Sequence, residues 1–329
     1  MTPFDQEELS FQVVLDFLLE EVEPVSERHL LQFSDLIPED LESLLDAWPR
    51  ISLNRKTLLL DQLNALADVN TLVSFDDLGR ALLEDSEAPV RQRAVRLLVE
   101  CNDGRLIPRF IDMLNTDPEN AVRAEVASTL GLFVQLGEFN EISAESKNLV
   151  EEALLKVTHT DEEEPNIRRR ALESLGFSSR LEISTLIQSA FDREDPDWRA
   201  SALFAMGRTS DDHWGGHVLQ MLAAENRRTR LAAVKSAGEL GLKAAVPLLL
   251  DMLEDEFDDV IAGAAVWSLS QIGGEDARLY LENLLDNLDE DEPQYRFVEE
   301  ALDNLAFTND LSQFDLMSYD PDEDLNPDQ

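Results

Sequence analysis

The sequence predicts an all-α protein, a right-handed α–α superhelix of stacked two-helix units, and three observations predict it. One short motif recurs at near-constant spacing, its apolar residues follow a helical period, and the copies are joined through acidic, proline-bearing turns. The copies are PVRQRAVRLLV (89–99), AVRAEVASTLG (121–131), NIRRRALESLG (166–176), DWRASALFAMG (197–207), RTRLAAVKSAG (228–238) and DVIAGAAVWSLS (259–270), with a weaker one at PQYRFVEEALD (293–303). Marked at the arginine position they fall at 91, 123, 168, 199, 230, 262 and 295, so the spacings are 32, 45, 31, 31, 32 and 33. Self-similarity at a fixed period of this size is the mark of a repeat architecture.

Within each copy the apolar or small residues sit at offsets 0, 4, 7 and 8 from the residue before the arginine, which is one stripe of a helix and not the alternation of a strand. Between copies lies a second amphipathic segment: RLIPRFIDML (105–114), ISTLIQSAF (183–191), AAVPLLLDML (244–253) and ARLYLENLL (277–285). Turns such as NTDPEN (115–120), REDPD (193–197) and DEDEP (289–293) bring capping acids and prolines to the start of the next helix. A unit of this size cannot bury its apolar stripe alone, so neighbours must stack. Ala94, Ala171, Ala202, Ala233 and Ala265 share one offset, where close approach of helices is expected. The closing Gly131, Gly176, Gly207 and Gly238 are expected to cap the helices. The arginine column Arg91, Arg123, Arg168, Arg199 and Arg230, with acids in each preceding turn, predicts a structural ladder of charge-assisted hydrogen bonds between successive turns.

The flanks lack this grammar. Residues 1–50 hold 13 acids and 2 bases around helical segments at 11–22 and 38–48 and are expected to form an N-terminal cap. The array is expected over 51–305, about eight units, beginning with a degenerate one whose helix is RKTLLLDQLNALA (55–67). The 45-residue spacing holds an insertion near 133–148, which lengthens either a loop or a helix. From 306 the tail has seven acids and no base, so residues 306–329 are expected to be disordered, with FDLMSY (314–319) a possible docking peptide.

Charge narrows the function. The 329 residues carry 69 acids against 27 bases, a net of −42, with no basic stripe in the sequence, which argues against nucleic acid and against acidic membrane surfaces. The N-terminus lacks a signal-peptide pattern and no apolar run approaches a membrane span, so a cytoplasmic, monomeric protein is expected. The lone Cys101 excludes an internal disulfide and is expected to act as a small hydrophobe. No phosphate-binding glycine loop, nucleophile elbow or Cys-x-x-Cys occurs. His213 and His217 are four apart in DDHWGGHV (211–218), but Gly215 and Gly216 predict a turn there, so no metal site, no cofactor and no catalytic residue is assigned.

On the copies quoted above and the intervening P-x-L-L-x-M-L-type helix, the chain resembles HEAT-repeat (armadillo-like) proteins, in particular the short-repeat subclass related to phycobilisome-lyase repeats, over roughly 80–305. The resemblance implies an α-solenoid, and a family that serves scaffolds, lyases and hydroxylases alike. A hydroxylase of this class would need repeated His-Glu pairs. Here His29, His159, His213 and His217 precede Leu, Thr, Trp and Val. The expected function is therefore a non-catalytic scaffold binding another protein, one with basic patches, through an acidic curved surface; bilin lyase or chaperone activity is the alternative. In such stacks the second helix lines the concave side, so offset 6 should form a column there: Arg96, Ser128, Glu173, Phe204, Lys235, Trp267 and Glu300. Phe204, Lys235, Trp267, Arg96 and Glu173 are the candidate groove residues.

Overall fold

The computed structural model describes residues 10–20 and 25–318. Its helices fall in two compact units, one up to Ser174 and one from Leu175 onward, a division that no composition shift in the sequence marks. In the first unit α1 (Phe11–Leu19), α2 (Glu27–Leu30) and α3 (Pro38–Ala47) precede α4 (Leu53–Val69), α5 (Asp76–Leu82), α6 (Ala88–Leu97), α7 (Ile107–Thr116), α8 (Asn120–Glu138), α9 (Ala144–His159) and α10 (Pro165–Leu175), whose last residue lies across the division. The second unit holds α11 (Leu181–Phe191), α12 (Pro196–Arg208), α13 (Gly215–Met221), α14 (Arg227–Glu239), α15 (Val246–Asp255), α16 (Asp259–Ile272), α17 (Glu275–Asp286) and α18 (Pro293–Ser318). Among the described residues there is no strand, and no helix is long and apolar enough to cross a membrane.

The second helices stack on one another, α4 on α6 on α8 in the first unit and α12 on α14 on α16 on α18 in the second, and each packs against its own first helix. Capping side chains start them: Asp195 accepts from Asp197 N, Asn226 from Arg228 and Thr229 N, and Asp258 from Val260 and Ile261 N. Ala94, Ala171, Ala202, Ala233 and Ala265 are wholly buried, as close approach requires.

The glycines do different work from that expected. Gly131, Gly207 and Gly238 lie inside their helices and none of the four has a positive φ, so they are not left-handed caps. Each faces the small residue at offset 7 of the next second helix. A Cβ on Gly131 would stand 2.8 Å from Ser174 Oγ, on Gly176 2.6 Å from Ala205 O, on Gly207 3.1 Å from Ser236 Cα and on Gly238 2.8 Å from Ser268 Cα. At Gly176 and Gly238 the atom met is backbone and closer than real Cβ contacts come, so glycine is required there; at Gly131 and Gly207 a Cβ would be tight and the neighbour would have to shift. The facing serines then donate to carbonyls of the preceding helix: Ser174 to Ala127 O at 2.8 Å, Ser236 to Leu203 O at 2.7 Å and Ser268 to Val234 O at 2.9 Å.

Two further expectations change, and the insertion takes one of its two expected forms. The insertion lengthens helices: α8 runs on to Glu138, and α9 starts at Ala144 with Ser143 as its cap. Gly215 and Gly216 open α13 rather than breaking it, because the preceding short 3-10 turn pins Trp214 in the core and a Cβ on Gly215 would stand only 3.2 Å from Leu242. Helix α18 continues past residue 305 to Ser318, held by Asn309, whose Oδ1 accepts from Gly274 N at 3.0 Å. The rest of the expected disordered tail, with Tyr319 of the suggested docking peptide, lies outside the described residues.

Candidate functional site

Arg91, Arg168, Arg199 and Arg230 tie their second helices to the turn before, Arg123 bonds Asn120 at the start of its own helix, and Arg91, Arg123 and Arg230 also reach the turn after. Arg91 donates to the carbonyls of Asp85 and Ser86 and forms a bidentate pair with Asp117 at 2.8 and 2.9 Å. Arg123 meets Glu163 at 2.8 Å, and Arg230 meets Glu256 at 3.2 Å while holding the carbonyls of Ala224 and Glu225. Arg168 binds Thr158 O and Asp161, and Arg199 binds the carbonyls of Phe191 and Arg193. The acid partner thus comes from the following turn for Arg91, Arg123 and Arg230, where the preceding turn was expected; the preceding turn contributes its free helix-end carbonyls, which a guanidinium fork satisfies. Burial pushes the Asp117 carboxyl up, and the bonds from Arg91 and the Glu119 amide outweigh it, leaving its pKa below the ordinary value.

The offset-6 residues are not alike. In the first unit Arg96 is exposed and 3.4 Å from Glu125, whereas Glu173, expected to face a groove, is buried and paired with Arg170 at 2.7 Å, one turn earlier on its own helix. In the second unit Phe204, Lys235 and Trp267 come from the successively stacked α12, α14 and α16. Phe204 is half-buried: the Arg208 guanidinium, four residues on, lies 4.2 Å from its ring centre and 4.5 Å from that of Phe177. Lys235 is exposed, and among the described contacts no carboxylate forms an ion pair with it. Trp267 is 37% exposed, with Phe297 of α18 at 6.3 Å.

Sequence reasoning missed what lies beside these three. Offsets 2 and 3 are small on α12 (Ala200 and Ser201) and on α16 (Gly263 and Ala264), whereas α14 has the half-buried Leu231 before Ala232, and a Cβ on Gly263 would meet nothing within 4 Å. At offset 10, Glu239 reaches back over Gly207. Packing there pushes its carboxyl above the ordinary value, with Arg208 and Lys235 pulling the other way. The aromatic–cation–aromatic column and the small residues beside it on α12 and α16 outline a shallow trough that Leu231 interrupts at α14. Reading offsets in adjacent columns would have found it.

The remaining chemistry is sparse. Cys101 is buried, and burial pushes its thiol up to about 11; a thiol held protonated is no nucleophile. His213 bonds Asp211, and His217 packs edge-on against Phe191 and Trp214. No group of three metal-ligating side chains occurs among the described residues.

These stacked helix pairs define an α-solenoid repeat protein, and the chain belongs to the HEAT-repeat family: the model of HEAT repeats matches residues 75–155, 183–270 and 215–303, more than half of the chain. No curated protein is similar enough to match. Among solved structures, the complex of CpcE and CpcF of phycocyanin lyase from Nostoc sp. PCC7120 matches at a TM-score of 0.51 and 19% identity, over 82% of this chain and 95% of that one. Importin beta matches at 0.42 and 13% identity, over 90% of this chain and 48% of its own. Human deoxyhypusine hydroxylase matches at 0.35 and 17%, over 80% and 96%. The likeness is one of fold alone.

Proposed function

We propose that this chain is a non-catalytic scaffold that binds a protein partner along α12, α14 and α16. Trp267 carries the proposal. Its indole is 37% exposed beside Phe297 of the next second helix, and Trp is over-represented where partners dock. Phe204 and Phe297 extend the apolar surface on either side, and HEAT-repeat proteins typically bind other proteins. The scaffold is read as acting in solution, without cofactor.

Replacing Trp267 by alanine tests the reading. Trp267 is nearly two-thirds buried, which predicts a stability loss of about 2 kcal/mol, short of the ~3–5 kcal/mol of a core aromatic. Affinity capture with the wild-type chain from its own cells is expected to return one stoichiometric protein that Trp267→Ala loses by about tenfold or more. A partner held equally well by the variant overturns the proposal. So does a melting temperature that collapses, which would make Trp267 a core residue.

A further inference from the structure

The net charge of −42 suggests a partner with basic patches, but the charges are not spread evenly over the helices. In the second unit the first helices α15 and α17 carry Asp251, Glu254, Asp255, Glu275, Asp276, Glu282 and Asp286 against the single Arg278. The second helices α12, α14 and α16 carry Arg199, Arg208, Arg227, Arg228, Arg230 and Lys235 against Asp197, Glu239 and Asp259. From Val260 to Gly274 there is no charged residue at all. The sign of the molecule is therefore reversed on the helices that bear the trough.

Most of those bases are already used. Arg227 pairs with Asp258, Arg228 with Asp197 at 2.5 Å and Arg230 with Glu256, all toward the turn end of the helices. Arg199 is spent on backbone carbonyls. At the level of the trough stand Lys235, exposed and with no ion pair among the described residues, and Arg208 stacked on Phe204, against the one carboxylate of Glu239. The long-range repulsion of the acidic remainder is screened beyond about 8 Å at physiological salt. Contact charges then decide which partner fits.

Resting on the scaffold reading above, we infer that the α12–α14–α16 trough receives a peptide segment of another protein that sets a carboxylate against Lys235 between apolar side chains lying on Trp267 and Phe204. Gly263 and Ala264 admit a backbone close to α16, Leu231 of α14 adds an apolar contact beside it, and the two flanking rings take the side chains on either side of the acid. A basic segment would meet two cations, Lys235 and Arg208, against the single carboxylate of Glu239 on the same surface.

Selection of a displayed random-peptide library on the full-length chain tests this. The expected consensus is Asp or Glu flanked by aromatic or branched aliphatic residues. Synthetic peptides of that consensus should lose about tenfold in affinity or more on Lys235→Glu, and Trp267→Ala should weaken them as well. Lysine- or arginine-rich winners overturn the inference, as do acidic peptides whose affinity neither variant moves. Binding that appears only when residues 319–329 are removed also overturns it, by assigning the trough to the chain's own acidic end. If no peptide is enriched while a protein partner is still captured in a Trp267-dependent way, this inference fails and the scaffold reading stands.

Discussion

Replacing Arg91 by alanine leaves the Asp117 carboxylate, its side chain 6% exposed, without its bidentate partner, and leaves the carbonyls of Asp85 and Ser86 without a donor. Removing one member of a buried pair strands the other in a low dielectric, so a loss of about 3 kcal/mol is expected by denaturant titration. Lysine should recover little of it, because an ammonium cannot reproduce the two-pronged geometry. The pair also sets a pH dependence. The folded pKa of Asp117 is lowered, so its contribution is complete above the unfolded value of about 3.9 and disappears as pH falls through the folded one. Asp117→Asn should flatten stability across that acid range; an unchanged acid limb would mean the pair contributes nothing. That these arginines matter was legible in the sequence, since their column was visible. Which turn supplies the carboxylate was not, because periodicity places a residue on a face and says nothing of what stands opposite.

At the scale of the helix, glycines with similar surroundings in sequence have opposite roles. Gly238 presses on the Ser268 backbone, whereas Gly263, in the middle of α16, faces open space. Gly238→Ala should therefore destabilise by about 1–3 kcal/mol, since a backbone atom cannot rotate out of the way. Gly263→Ala should stabilise by about 0.5–1 kcal/mol, the ordinary helix-propensity gain. Thermal melts of the two variants moving in the same direction would contradict this assignment. The sequence supports a cap reading for Gly238 only because glycine near a helix end usually means one. Local rules likewise misplace the start of α13 and the end of α18: both depend on distant contacts, Gly215 on Leu242 and Asn309 on Gly274. The trough is half-legible in the same way. Its wall of Phe204, Lys235 and Trp267 lies in one column, and its floor appears only when the columns are set side by side.

For the molecule as a whole, the repeat order was readable because helix period, turn chemistry and spacing agree, while the partition of charge between first and second helices needed the helix pairing to be known. The contact that joins successive second helices has a further consequence. Gly207 meets Ser236 and Gly238 meets Ser268, and Leu203 and Val234 supply equivalent carbonyls. α14 carries both a plug at offset 7, Ser236, and a socket at offset 9, Gly238, while α12 before it supplies the socket Gly207 and α16 after it the plug Ser268, so α14 is a link that can be taken out with its neighbours still matched. Deleting 208–238 would join Gly207 directly to Glu239, recreating the Gly-Glu junction that now stands at 238–239 and bringing the socket of α12 to the plug of α16. The shortened protein is expected to remain helical and to melt cooperatively, whereas a deletion half as long would put the sockets opposite the wrong face and collapse the second unit. Circular dichroism of the two deletions separates these outcomes. A stretch cut at that period loses length by one whole link, so the length of the chain can change in steps wherever a small residue at offset 7 still finds a glycine at offset 9 of the helix before it.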